Sequence, residues 1–181
     1  TPLYSSAASD VYKRQGLISG IAAAVKSINP ECKVYGVEPE GADSMSRSLA
    51  AGRPVVLDKV DTIADSLAPP MALPLGHALC AAYVDDIVTV TDDDICAGMV
   101  ILQQEAKLAV EPAVGAVMAG VMRPLRNRLK GKRVGLVVCG ANIDVTSYSK
   151  LLERGRINIS RLTDYTSVSY THLTLPTNRE V

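Results

Sequence analysis

The residues of this chain with chemistry to offer are few and widely spaced. Val134 to Cys139 form an apolar run that stops abruptly at Gly140-Ala141-Asn142, before a segment of helical character. A short apolar run closed by a glycine turn predicts a strand buried on both faces of a parallel sheet. Ligands in open α/β sheets sit just past the carboxyl ends of strands. Cys139 to Asn142 therefore stand where a small molecule would be held. Gly16 precedes a helical pattern and predicts a helix N-terminus, whose free N–H groups and dipole favour an anion such as phosphate; an ordinary turn is the plainer reading. Asp92, Asp93 and Asp94 offer three carboxylates to a cation. Behind Thr91 they also suit a helix start, with Thr91 as N-cap and Asp94 three residues on, and capping accounts for them with fewer assumptions. His77 has no Asp, Cys or second His beside it and reads as a surface or partly buried side chain outside catalysis.

The elements that must position these groups follow from periodicity and punctuation. Leu17, Ile21, Ala24, Val25 and Ile28 repeat at helical spacing up to Pro30. Cys32 to Glu38 reads as a strand that Pro39 ends. Asp43 or Ser44 caps a helix that Gly52 closes. Arg53 to Pro70 is an irregular loop, either functional or a plain connection. Pro74 opens a helix through His77, Leu79 and Tyr83. Asp86 to Thr91 is a β-branched strand. The helix from Ile95 ends near Leu108, and Pro112 opens a second helix rich in small residues, which allow close approach to a neighbour. Pro124 kinks or ends it, and Asp144 to Glu153 forms a last helix. Three strands separated by helices, with no hairpin signals, predict an α/β fold with an open, mostly parallel sheet and flanking helices.

The totals narrow the function classes. The 181 residues allow one ordinary domain, and 19 basic against 19 acidic residues argue against nucleic acid as a partner. No apolar run approaches a membrane span and no secretory signal is visible. Cys32, Cys80, Cys96 and Cys139 are scattered without metal-ligand spacing, which points to reduced thiols and a cytoplasmic setting. Phe and Trp are absent, so core volume must come from aliphatic side chains.

Both ends break the pattern. Residues 1–15 show no clear helical or strand period, and residues 157–181 are rich in Thr and Ser with no core face. SSAASDVYKRQ and VSYTHLTLPT resemble translated sequencing-adapter DNA. Residues 1–15 and 157–181 are therefore expected to be non-native or disordered, and 16–156 to be the interpretable portion of something longer.

GLISGIAAAVK, KVYGVEPEGADSM, DTIADSLAPP, VDDIVTVTDDDI, EAKLAVEPA and VGLVVCGANID occur in this order and at this spacing. Together they resemble the C-terminal half of the threonine/serine dehydratases (threonine ammonia-lyases) and serine racemases. That family comprises pyridoxal-phosphate enzymes of fold type II, the tryptophan-synthase-β group. The resemblance implies that 16–156 is the C-terminal portion of a catalytic domain. It places Cys139 against the pyridine nitrogen of the cofactor, with Gly140, Ala141 and Asn142 as the rest of that wall. A neutral partner there leaves the nitrogen largely unprotonated, which suits β-elimination. Glu111 matches a glutamate near the ring edge, or a buried carboxylate at a helix start. Ser66 stands beside the cofactor where relatives often have Gly. Gly16 and Leu17 match the end of a glycine-rich phosphate loop.

The resemblance also implies a divalent cation (Mg, Mn or Ca) held by Glu38, the Ala42 carbonyl and a third position, here Ser44 in place of Asp, with Asp43 or water as substitutes. The Schiff-base lysine belongs to a motif that does not occur here, and Lys26, Lys33, Lys59 and Lys107 do not stand in that context. The implied activity is β-elimination and deamination of L-threonine or L-serine to 2-oxobutyrate or pyruvate plus ammonia, by a homo-oligomer in the cytoplasm. Serine racemase, a β-replacement enzyme such as cysteine synthase, and a non-catalytic ligand-binding module are the competing readings.

Overall fold

The computed structural model describes the backbone of residues 6–163 and the side chains of residues 15–159. Its elements are α1 (Ser6–Ile28), β1 (Tyr35–Pro39), α2 (Ser44–Ala51), α3 (Pro74–Tyr83), β2 (Asp86–Val90), α4 (Asp92–Ile101), α5 (Pro112–Met122), α6 (Arg126–Leu129) and α7 (Val145–Thr163). The two strands pair in parallel, from Tyr35 opposite Asp86 to Pro39 opposite Val90. Pro39 is tolerated because it is the last residue of its strand.

Helices cover both faces of this ribbon. On one, Met45 of α2, Cys80 of α3 and Ala72 just before α3 form a buried cluster, joined by Ile18 of α1 and Ile87 of β2. On the other, Val90, Ile95, Ala116 and Ala119 pack with Ala64 and Val37. The small residues of α5 have the expected role. A Cβ on Gly120 would lie 2.6 Å from Val37, and one on Gly98 of α4 would lie 2.2 Å from the Gly115 carbonyl oxygen. On the far side of α4, a Cβ on Gly155 of α7 would lie 2.3 Å from the Cys96 carbonyl oxygen. Glycine alone permits these approaches. Met99, Leu102, Val110 and Val114 fill the space between α4 and α5, and Ile143, Tyr148, Leu151 and Leu152 close it.

Asp85 ties the sheet's entry together. Its carboxylate accepts from Lys26 at 2.7 Å, Lys33 at 2.9 Å and the Val34 N–H at 2.8 Å. Burial works against its charge, but these donors hold the carboxyl well below the usual carboxylate range.

Several local expectations hold. Gly52 closes α2 with φ of 65° in the left-handed region, Pro74 and Pro112 open α3 and α5, and the Thr91 hydroxyl accepts the Asp94 N–H at 3.1 Å. Other expectations are corrected. Val134 to Cys139 do not form a strand: residues 133–144 carry no regular structure, and Val134, Val137 and Val138 are 41%, 44% and 50% exposed. A strand exists by its ladder, and among the described residues nothing pairs with this run. The sheet therefore has two strands where three were expected. Gly16 does not open a helix. α1 begins at Ser6 and runs through it, so Gly16 and Leu17 lie inside the helix with their N–H groups in its interior. Gln15, in the stretch set aside as aperiodic, is 7% exposed; its amide donates to the Met71 carbonyl at 2.8 Å and accepts from the Leu73 N–H at 2.7 Å. At the other end α7 continues past Glu153 to Thr163. Residues 1–5 and 164–181 of the two ends lie outside the described residues.

Candidate active site

Glu111 stands immediately before α5 in an extended conformation, with Pro112 as the first helical residue. Its side chain makes no cap bond to its own helix, although its carbonyl accepts the Val114 and Gly115 N–H groups. Its carboxylate instead joins two remote segments. One oxygen accepts the Ser66 hydroxyl at 3.1 Å, and the other accepts the Asn142 N–H at 3.1 Å. The Glu111 N–H donates to the Gly140 carbonyl at 3.2 Å. Residues 140–142 are thus held on both sides of Glu111. A Cβ on Gly140 would lie 2.4 Å from the Glu111 carboxyl carbon, so with any other residue here the end of the Glu111 side chain has to move.

The loop that carries Ser66 is fixed independently. Asp92 accepts from the Thr62 hydroxyl at 2.7 Å and the Ile63 N–H at 3.0 Å. The Asp61 N–H donates to the Gly41 carbonyl at 3.0 Å, and a Cβ on Gly41 would lie 1.8 Å from the Asp61 carbonyl oxygen. The three consecutive aspartates therefore diverge. Asp92 holds the Ser66 loop, Asp93 pairs with Arg154 at 2.8 Å, and Asp94 pairs with Arg123 at 2.6 Å. Each carboxylate thus faces a different partner. His77 joins α3 to α2 through the Ser48 carbonyl at 3.1 Å and has no part in the site.

A cavity of about 540 Å³ opens beside the clamp, lined by Ser66, Glu111 and Asn142 together with Asp65, Asp144 and Lys150. Sequence reasoning missed the last three. Asp144 carried a usable signal: it accepts the N–H groups of Thr146 and Ser147, each at 3.0 Å, and so sets where α7 begins. Lys150, six residues on, then faces the same cavity. Cys139 is exposed, one residue before Gly140. Partial desolvation and the nearby Glu111 charge push its thiol above the ordinary value, so it stays protonated and neutral at neutral pH. Gly16 and Leu17 do not line the cavity.

Glu38 near the end of β1 lies close to the start of α2, which follows Ala42, and its carboxylate caps that helix. The Glu38 carboxylate accepts the Met45 N–H at 3.0 Å and the Ser46 N–H at 2.9 Å. Asp43, the expected cap residue, makes no side-chain cap bond. Ala42 and Ser44 are fully buried, and the Ser44 hydroxyl has no hydrogen-bond partner. Among the described residues, no group of three or more His, Cys, Asp or Glu side chains is placed to hold a metal ion. Each Glu38 oxygen accepts one N–H and keeps a second lone pair, and the Asp43 charge lies near enough to act on it. Among the described residues no helix is long and apolar enough to cross a membrane.

Comparison with known proteins places this geometry. A phenylserine dehydratase of Ralstonia pickettii is 43% identical over 77% of this chain and 43% of its own length. The L-threonine ammonia-lyase of Thermotoga maritima is 37% identical over 81% of this chain and 36% of its own length. The solved structure of the processed form of threonine deaminase isoform 2 from Solanum lycopersicum superposes with a TM-score of 0.70 at 34% identity, over 78% of this chain and 41% of that one. The chain thus spans less than half the length of these relatives. The model of the pyridoxal-phosphate dependent enzyme family matches residues 13–140. With most of its length matched, the chain belongs to the pyridoxal-phosphate dependent enzymes.

Proposed function

We propose that this chain is the C-terminal portion, over residues 16–156, of the catalytic domain of an ammonia-lyase. The enzyme would dehydrate and deaminate a β-hydroxy-α-amino acid, L-threonine or L-serine, to 2-oxobutyrate or pyruvate plus ammonia. The observation that carries the reading is the clamp of Glu111 on Ser66, Gly140 and Asn142, with the neutral Cys139 thiol beside it. The chemistry supplied by the bound cofactor is electron withdrawal from the substrate α-carbon. A thiol that keeps its proton on Sγ would offer the pyridine nitrogen no charge, which would limit that withdrawal and suit loss of the β-hydroxyl. Glu111 holds residues 140–142 where they would face the cofactor, and Ser66 donates to its other carboxylate oxygen. These residues fit one edge of pyridoxal phosphate.

The phosphate end is different. Gly16 and Leu17 can offer N–H groups to a phosphate when α1 begins at Gly16, and with α1 beginning at Ser6 those groups are engaged. No lysine of the chain is assigned the covalent anchor, so the chain alone is not expected to turn over substrate. A cytoplasmic homo-oligomer acting on a free amino acid completes the reading.

The test is the polypeptide encoded by the complete reading frame around these residues, supplied with pyridoxal phosphate and either L-threonine or L-serine. Release of ammonia with 2-oxobutyrate or pyruvate supports the proposal. D-serine as the main product assigns a racemase instead. If neither product forms, the assignment fails.

A further inference from the structure

Tyr148 of α7 packs, with Ile143, Leu151 and Leu152, against the cluster of Met99, Leu102, Val110 and Val114. Its hydroxyl donates to the Gln103 side-chain oxygen at 2.7 Å. We infer that Tyr148 is a positioning residue for Glu111: through Gln103 and Val110 it fixes the turn that leads from α4 to the clamp, and so sets where the Glu111 carboxylate stands.

Three observations carry this. The path into Glu111 is irregular. α4 ends at Ile101, and Leu102–Ala106 continue as a π turn, an uncommon form. Lys107 then takes a φ of 58°, the single non-glycine residue of positive φ among the described residues. The turn closes on itself where the Leu108 N–H donates to the Leu102 carbonyl at 3.2 Å and the Lys107 ammonium to the Gln104 carbonyl at 2.6 Å. Backbone of this kind persists only where its surroundings hold it.

Tyr148 supplies that hold at both ends of the path. Gln103 is the second residue of the turn. Burial raises the Tyr148 phenol above its ordinary value, and a backbone hydrogen bond from Val110 opposes the rise. Val110 is 1% exposed and immediately precedes Glu111. One phenol therefore touches the start of the turn and the residue next to the clamp.

The tie also completes a ring. Residues 103–111 and 142–148 are joined at one end by Glu111 and the Asn142 N–H, at 3.1 Å, and at the other by Gln103 and Tyr148. Release of either end leaves the other to hold the two segments in register alone. The consequence for catalysis rests on the clamp being a wall of the cofactor site. The positioning itself is read without turnover, so failure of the proposed reaction and failure of this inference are separate results.

The experiment is amide hydrogen exchange of the chain, followed at Asn142. Tyr148→Phe keeps the ring in its cluster and removes the hydroxyl, so Asn142 is expected to exchange about fivefold faster. Asp85→Asn, which weakens the far end of the sheet, is the control for a general loss of stability and should leave Asn142 unchanged. Gln103→Leu is expected to match Tyr148→Phe, whereas Gln103→Glu keeps an acceptor for the phenol and retains wild-type protection. Unchanged exchange in Tyr148→Phe overturns the inference. So does equal acceleration in Asp85→Asn, which would make Asn142 a reporter of overall stability. Gln103→Glu exchanging as fast as Gln103→Leu overturns the role of the hydrogen bond. Should Tyr148→Phe fail to fold, the two Gln103 variants still decide.

Discussion

Gly140 and Glu111 are locked by shape. The space a Cβ on residue 140 would need, 2.4 Å from the Glu111 carboxyl carbon, is already taken by that carboxyl. Glu111 is in turn held by Ser66 and by the Asn142 N–H. Gly140→Ala therefore has to part the carboxylate from residues 140–142, by moving the end of the Glu111 side chain or the loop. The Asn142 amide, protected through Glu111, should then exchange its hydrogen at least about tenfold faster, the equivalent of one lost hydrogen bond of about 1.4 kcal/mol. Amide exchange read by NMR or mass spectrometry checks this. Unchanged protection at Asn142 would show that the clamp does not order the loop.

The four thiols should divide by position. Cys80 and Cys96 are fully buried, and burial pushes each up to about 11, aided at Cys80 by the Glu38 charge. Cys32 and Cys139 are exposed. Iodoacetamide on the native protein is expected to label Cys32 and Cys139 and to spare the other two, with all four labelled in denaturant. Cys139, raised in pKa, should label with a rate that still climbs above neutral pH. Pyridoxal phosphate should slow labelling at Cys139 and leave Cys32 unchanged. Equal protection of both, or of neither, would remove Cys139 from the cofactor wall.

Gly16 separates two conformations of the same stretch. Inside α1 it is a helix-interior glycine, with nothing within 4 Å of where a Cβ would stand. Gly16→Ala should then stabilise the protein by about 0.5–1 kcal/mol, an increase in Tm of about 1–4 °C. If the residue instead turns the chain into a phosphate loop, the same substitution lowers Tm or abolishes phosphate-dependent stabilisation. Differential scanning calorimetry with and without inorganic phosphate distinguishes the two.

Asp85 gives the acid limb of stability a specific source. Its carboxyl is depressed in the folded protein, so the stabilisation is fully present above the unfolded value of about 4 and is lost as pH falls from there toward the folded value. At 19% side-chain exposure it is only modestly screened. Asp85→Asn should cost about 1–2 kcal/mol at pH 7, and the difference from wild type should shrink below about pH 4. Urea denaturation at a series of pH values measures this. A difference that stays constant down to pH 2 would assign the loss to packing rather than charge.

What could be read along the chain was what neighbouring residues decide between themselves. The Thr91 cap, the prolines that open α3 and α5, Gly52 in its left-handed turn and the β-branched run of β2 all act within a few residues, so composition and order were enough. The small residues of α5 announced close packing, and Gly115 and Gly120 fulfil it. The ordered family motifs identified Glu111, Ser66 and Asn142 as belonging together, but not how. Tertiary structure decided that one carboxylate would bridge positions 45 residues apart, from Ser66 to Glu111, and 31 apart, from Glu111 to Asn142. It also decided that three adjacent aspartates would serve three different partners. Val134 to Cys139 mark the limit most clearly. Their apolar character was evident from the residues alone, but a strand is a relation between segments, and burial and pairing depend on what lies alongside. Among the described residues no strand pairs with it, and the run carries no regular structure and is half exposed.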